Sequence, residues 1–130
     1  MRIIAGTHKG RRIEPPNNLN LRPTTDKAKE ALLNIINSRY FLTEKNMLDL
    51  FSGTGNISFE FASRGVKDVI AVDNNRHCID FIKNTATKFE LNISTIQSDG
   101  LKYAENCKEQ FNFVFADPPY NYEKYEILKE

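Results

Sequence analysis

Cysteine is scarce in this chain: Cys78 and Cys107 are the only two in 130 residues. They have neither the spacing nor the histidine partners of a zinc site, so no metal is expected, and both are expected to be free thiols. Long apolar runs are missing as well. Arg2 is followed by only three apolar residues, Ile3, Ile4 and Ala5, well short of a signal-peptide core, and no later stretch approaches the length of a membrane span. The reading is a cytoplasmic protein with no membrane partner. Internal repeats and low-complexity tracts are absent too. What remains is 40% hydrophobic and 27% charged residues, the make-up of a soluble domain with a real core. Charge of one sign is concentrated at one end. Residues 1–30 hold seven Lys or Arg (Arg2, Lys9, Arg11, Arg12, Arg22, Lys27, Lys29) against Glu14, Asp26 and Glu30, while the whole chain carries a formal charge of only +1. A basic segment ahead of an acidic body suggests a phosphate-bearing partner touching one side of the molecule.

In chain order, Arg2–Ala5 and Arg11–Glu14 read as short strands joined by a turn with Gly6 and Gly10, hence a basic hairpin. His8 reads as a surface turn residue rather than a catalyst. After the linker Pro15–Asn18, Thr24 or Thr25 can cap a helix whose apolar face would be Ala28, Ala31, Leu32, Ile35 and Ile36. From Asn46 the pattern alternates. Strands are expected at Met47–Phe51, Val69–Val72 and Ile93–Ile96. Helices are expected from the Ser52–Gly55 turn to near Arg64, over Arg76–Phe89 and near Leu101–Asn106. The fourth strand is Phe113–Ala116, an unbroken apolar run that reads as buried on both faces. Alternation of this kind predicts an α/β fold, a doubly wound parallel sheet, in residues 23–130, with residues 1–22 as hairpin and linker.

The unusual residues fall at strand ends, where open parallel sheets bind ligands. Gly53 and Gly55 follow the first strand and permit close backbone approach. Asp73 follows the second strand, placed to accept from both hydroxyls of a ribose, Asp99 follows the third, and Asp117-Pro118-Pro119-Tyr120 the fourth. The prolines force the chain out of the sheet, leaving a carboxylate, a free prolyl carbonyl and an aromatic ring close together. That group suits a planar base with an exocyclic amine. Gly53-Thr54-Gly55-Asn56-Ile57-Ser58 lacks the third glycine of a dinucleotide fingerprint, which disfavours a nicotinamide enzyme. Asp49, inside an apolar strand, is costly unless paired, and a ligand amino group would pair it. A nucleoside carrying an amino acid, S-adenosyl-L-methionine, meets both demands.

With Asp49-Leu50-Phe51-Ser52-Gly53-Thr54-Gly55, Val72-Asp73 and Asp117-Pro118-Pro119-Tyr120 in that order, the chain resembles class I S-adenosylmethionine-dependent amino-methyltransferases, with a Rossmann-like fold. Arg2-Ile3-Ile4-Ala5-Gly6, Lys9-Gly10-Arg11 and Leu21-Arg22-Pro23-Thr24-Thr25-Asp26 narrow the resemblance to the RsmD family, which methylates the N2 amine of a guanine in 16S ribosomal RNA. The resemblance implies a cofactor pocket lined by Asp49, Phe51, Gly53, Gly55, Asp73, Asn74, Asp99 and Gly100. In it Asp73 would hold the ribose, Asn74 would lie beside the adenine and Asp99 would accept from the adenine amine. It implies Asp117, Pro118, Pro119 and Tyr120 as the catalytic group, and a substrate in an assembled or assembling small subunit. The family often has Glu at Asp73 and Ala at Gly100. It also implies that the sheet continues past the fourth strand, so the chain is expected to be the N-terminal piece of a longer protein.

Direct methyl transfer follows from this reading. Asp117 and the Pro118 carbonyl would orient the amine, and Tyr120 would stack on the base. Arg2, Lys9, Arg11, Arg12 and Arg22 would meet RNA phosphates, and the protein is expected to act as a monomer. The rivals are a DNA adenine-N6 or cytosine-N4 methyltransferase, which leaves the basic hairpin unexplained, and a non-catalytic RNA-binding fragment.

Overall fold

The computed structural model describes residues 1–16, 19 and 26–118. Four parallel strands, β1 (Asn46–Asp49), β2 (Asp68–Asp73), β3 (Ile93–Gln97) and β4 (Phe113–Phe115), form one sheet in the order β3-β2-β1-β4. Helices α1 (Asp26–Arg39), α2 (Asn56–Ser63), α3 (Arg76–Phe89) and α4 (Gly100–Asn106) precede or connect them. The chain steps outward from β1 to β2 to β3 and then returns to place β4 on the other side of β1. The topological switch point therefore lies between β1 and β4, with Asp49 at the end of one strand and Asp117 just beyond the other.

Side-chain alternation along the strands builds a core on each face. Met47 and Val69 pack with Leu33 of α1 and with Ile57 and Phe61 of α2, and Ala71 packs with Phe59 of α2 and Ile82 of α3. Leu48 and Val72, pointing the other way, pack with Leu50, Phe51 and Tyr103 of α4. The helices are punctuated as their sequences dictate. The Asn75 side chain accepts from the His77 and Cys78 amides at the start of α3. α2 ends in a Schellman turn, in which Val66 N–H reaches the Phe61 carbonyl and Gly65 N–H the Ala62 carbonyl, with Gly65 at φ +108°.

The hairpin forms as expected. Arg2 bridges Arg12 antiparallel, Ile3 N–H donates to the Arg11 carbonyl at 3.0 Å, and Gly10 N–H donates to that of Ile3 at 2.8 Å. Ile3 and Ile13 are both buried against Phe59 and Ile82, which builds the hairpin into the core of the sheet.

Three expectations are corrected. Among the described residues β4 pairs only with β1 and Val114 is 58% exposed, so the burial on both faces expected of its apolar run is not seen there. An apolar run records what a strand can bury, whereas its neighbours decide what it does bury. The inward face of α1 is not the expected one either, because Ile35, Ala28 and Ala31 are exposed and the buried positions are Lys29 and Leu33, flanked by Leu32 and Ile36. An ion pair has turned the helix about its axis, as described below. β1 also ends at Asp49 rather than Phe51, since the chain enters the turn at Leu50, although Leu50 N–H still donates to the Phe115 carbonyl at 2.9 Å. Thr24 and Thr25 lie outside the described residues. No helix among the described residues is long and apolar enough to cross a membrane.

Candidate cofactor site and basic hairpin

The carboxyl ends of β1 and β2 carry the polar residues of the candidate site. Asp49 is fully buried. Its Oδ2 accepts from the Ser58 hydroxyl at 2.8 Å, while its Oδ1, equally buried, has no partner among the described residues. Burial pushes its pKa up to about 7; the Ser58 hydrogen bond opposes this, and the charges of Asp73 and Asp117 add to it. The end of β1 thus holds a buried carboxyl group half satisfied and close to its titration point.

Past Asp49 the chain folds back over the sheet. Ser52 N–H donates to the Val72 carbonyl at 3.0 Å, and Gly55 N–H to the Ser52 carbonyl at 2.9 Å. Gly53 sits at φ +56° and its N–H donates to Asp73 Oδ2 at 2.8 Å, while Asp73 Oδ1 accepts from Asn75 N–H at 2.9 Å. Two backbone amides therefore fix the Asp73 carboxylate at the end of β2, and a carboxylate has lone pairs left for further donors. Gly55 has a different reason to be glycine. It lies at φ +91° in the interior, where a Cβ would come within 2.9 Å of Ile82 Cγ1 and of Phe59 Cε2. Its role is to let α2 start against α3.

The remaining expected pocket residues gather at the same edge. Asn74 is exposed and its carbonyl meets Gln97 Nε2 at 3.4 Å. Asp99 caps α4, accepting from Lys102 N–H at 3.3 Å. At Gly100 a Cβ would sit 2.5 Å from the Leu50 carbonyl oxygen and 2.7 Å from Phe51 Cζ. That space is taken by the Leu50 carbonyl and by Phe51, which joins the β1 turn to the start of α4. Asp117 is exposed and Pro118 half-buried. Pro119, Tyr120 and Arg22 lie outside the described residues.

The basic hairpin leaves Arg2, Lys9, Arg11 and Arg12 exposed. Its tip is held to the end of α3. The His8 ring stacks on Phe89, its Nε2 lies 2.7 Å from the Phe89 carbonyl oxygen, and the Arg11 guanidinium lies 5.0 Å above the Phe89 ring.

The sequence reading missed what holds the hairpin down. Glu60, fully buried in α2, accepts the Ile4 and Ala5 amides at 2.9 and 3.0 Å, and pairs with Lys29 at 3.1 Å and Arg64 at 2.8 Å. Burial works against its charge, but the Ile4 amide, Arg64 and Lys29 outweigh that and hold its pKa below the usual carboxylate range. Ser63, one turn on, donates to the Ala5 carbonyl at 2.7 Å and accepts from His8 N–H at 3.0 Å. A lone carboxylate between Phe59 and Phe61 was the available signal.

A parallel sheet with this switch point, and a glycine turn held by the carboxylate at the end of β2, defines the class I methyltransferase fold. The chain belongs to the family described as Conserved hypothetical protein 95, the RsmD family, whose model matches residues 1–130. It is 35% identical over 133 residues to the Bacillus subtilis protein named "Putative rRNA methyltransferase YlbH", covering 98% of this chain and 71% of that one. To the Escherichia coli K12 ribosomal RNA small subunit methyltransferase D it is 31% identical over 121 residues, which is 92% of this chain and 60% of that protein. Among solved structures it is similar to the Escherichia coli "Putative methyltransferase yhhF", with a TM-score of 0.83, 27% identity, and coverage of 95% of this chain and 66% of that one. The chain thus spans about 60 to 71% of the length of these relatives.

Proposed function

We propose that this chain holds S-adenosyl-L-methionine beyond the carboxyl ends of β1 and β2. We further propose that it serves an enzyme that methylates the exocyclic N2 amine of a guanine in 16S ribosomal RNA. The observation that carries the reading is the orphaned, buried Asp49 Oδ1, which asks for a cationic donor at the end of β1. An ammonium group answers that need, and the donor-held Asp73 carboxylate suits vicinal hydroxyls. The residues present therefore fit the cofactor. Asn74, Asp99, Gly100 and Phe51 stand beside them for the adenine, and Gly53 supplies the turn.

When bound, this cofactor supplies an electrophilic methyl group on a sulfonium. The chain's own residues supply position and charge. An exocyclic guanine amine is a weak nucleophile because its lone pair is delocalised into the ring. Asp117 and the Pro118 carbonyl, as acceptors for its N–H groups, would favour a more tetrahedral nitrogen whose lone pair is taken out of conjugation and aimed at the methyl group. Pro119 and Tyr120 would complete the pocket, with Tyr120 stacking on a base taken out of its helix. The exposed arginines and lysine of the hairpin would neutralise RNA phosphates and set the register of docking without reading sequence. Small-subunit RNA, assembled or assembling, is the partner this reading implies for a cytoplasmic monomer. Relatives named for small-subunit ribosomal RNA methylation support the substrate class.

Calorimetry with S-adenosylhomocysteine tests the site. The chain should bind it, and Asp73→Ala should weaken binding by about tenfold or more, the scale of a lost hydrogen bond to a charged group. Unchanged affinity in the variant removes Asp73 from the pocket, and no binding by the parent chain refutes the cofactor reading.

A further inference from the structure

Lys29 is the most unexpected side chain in the molecule. It is a lysine on a short amphipathic helix, yet it is 1% exposed, with its ammonium enclosed by acceptors from two other elements. Nζ donates to the Arg2 carbonyl of the hairpin at 2.6 Å and to Asn56 Oδ1 at 2.7 Å, and it pairs with Glu60 at 3.1 Å. Asn56 is the first residue of α2, directly after the Gly53-Thr54-Gly55 turn. Glu60 carries the Ile4 and Ala5 amides. An ammonium has three protons, and each is committed to a group that fixes a different piece of backbone.

We infer that Lys29 is a positioning residue that joins the basic hairpin to the glycine turn, setting the place of both from a single buried ammonium group. The inference rests on the reading of that turn as the cofactor turn and of the hairpin as the RNA surface. Every proton of a buried ammonium needs an acceptor, and here the acceptors are the Arg2 carbonyl of the hairpin, the side chain of Asn56 at the start of α2, and Glu60, which itself holds the Ile4 and Ala5 amides. Arg64 already neutralises Glu60 at 2.8 Å, so the second cation is not required for charge balance. Thr54, whose hydroxyl lies 3.7 Å from Met1 Sδ, makes a second and weaker contact between the same two segments.

Hydrogen exchange tests the junction without any ligand. In Lys29→Met, the Ile4 and Ala5 amides, which donate to Glu60, and the Gly55 amide, which donates to Ser52, should exchange about tenfold faster or more. Amides between β2 and β3 should stay at the parental rate. Exchange that rises by one common factor everywhere, or that rises on one side only, overturns the inference. Asn56→Ala removes the Lys29–Asn56 contact while leaving Arg2 and Glu60 on the ammonium, and is the decisive variant if Lys29→Met does not fold. It should quicken Gly55 and leave Ile4 and Ala5 unchanged, and an unmoved Gly55 overturns the inference.

Binding supplies an independent readout. Under conditions where circular dichroism shows Lys29→Met fully folded, its affinities for S-adenosylhomocysteine and for 16S RNA should both fall about tenfold. A variant that binds both as tightly as the parent refutes the joint role. If the parent binds neither ligand, the proposed function fails, and the exchange rates alone decide the role of Lys29.

Discussion

Replacing Asp49 by Asn tests the central feature of the site. The amide keeps an acceptor for the Ser58 hydroxyl and removes the ionisable group from a position with no exposure to water. Asp49 titrates near 7 in the folded chain against a usual 3.8, so the native state holds its proton more tightly than the unfolded state does. The stability from this group is therefore complete below about pH 4 and is lost as the pH rises through about 7. Between pH 5 and 7 the wild type should lose up to about 3 kcal/mol from this source, at roughly 1.4 kcal/mol for each pH step, and little more above that. Asp49→Asn has nothing to titrate there. Its stability relative to wild type should climb by up to that amount between pH 5 and pH 8 and then level off. Urea unfolding at pH 5, 6, 7 and 8 reads the difference directly. A gap between the two proteins that is the same at every pH would show that Asp49 is not a buried acid near its titration point. Because the charges of Asp73 and Asp117 help raise this pKa, adding Asp73→Asn to the wild type should shrink the pH-dependent component. S-adenosylhomocysteine, by placing a cation at Oδ1, should reverse the sign of the Asp49→Asn effect and favour the carboxylate.

Asp117→Ala, made in a full-length active protein, should keep cofactor affinity and lose about 10²-fold or more in methyl transfer, as for other positioned groups at a reacting centre; near-normal turnover in single-turnover assays counts against the mechanism. The double variant Arg11→Ala, Arg12→Ala should bind RNA less tightly and lower the slope of log affinity against log salt by roughly 0.7 to 0.9 per lost phosphate contact, with cofactor affinity unchanged. An unchanged slope in salt titrations would return the hairpin to a scaffold. Gly55→Ala should destabilise the fold by about 1 to 3 kcal/mol, because it combines strain at positive φ with overlap on Ile82 and Phe59. Parental stability in urea melts would refute that packing argument.

The parts of this fold legible in the sequence are those in which local chemistry and tertiary packing ask for the same thing. α3 was expected over Arg76–Phe89 because Ile79, Ile82, Ala86 and Phe89 recur at helical spacing, and the structure has it over those residues, with Asn75 as the cap. The carboxyl-end placement of Gly53, Asp73 and Asp99 was legible because each interrupts or follows a strand. α1 was not. Its apolar residues at Ile35 and Ala31 suggested one face, but burying Lys29 opposite Glu60 and Arg2 outranks the exposure of one isoleucine, so the helix turns. Periodicity treats lysine as outward-facing by rule, and only a partner distant in sequence cancels that rule. Gly55 has a further reason to be glycine that the sequence reading did not contain. Its turn conformation was inferable, whereas the Ile82 side chain that forbids a Cβ is 27 positions away in sequence.

The two candidate surfaces follow opposite electrostatic rules, and the chain separates them. At the strand ends, burial first and then the charges of Asp73 and Asp117 raise the cost of ionising Asp49, an arrangement that a cationic group at Oδ1 would relieve. On the hairpin, Arg2, Lys9, Arg11 and Arg12 crowd charge of the other sign, which phosphates would offset. Were the two groups free to meet, they would neutralise each other and serve neither ligand. What prevents this is a set of buried contacts that use different charges. Glu60 pairs with Lys29 and Arg64 and accepts from the hairpin backbone, and Ser63 and His8 finish the docking, so the hairpin is held by its main chain and its arginine side chains stay exposed. A net charge of +1 thus hides two opposed local surpluses held at different places on the chain.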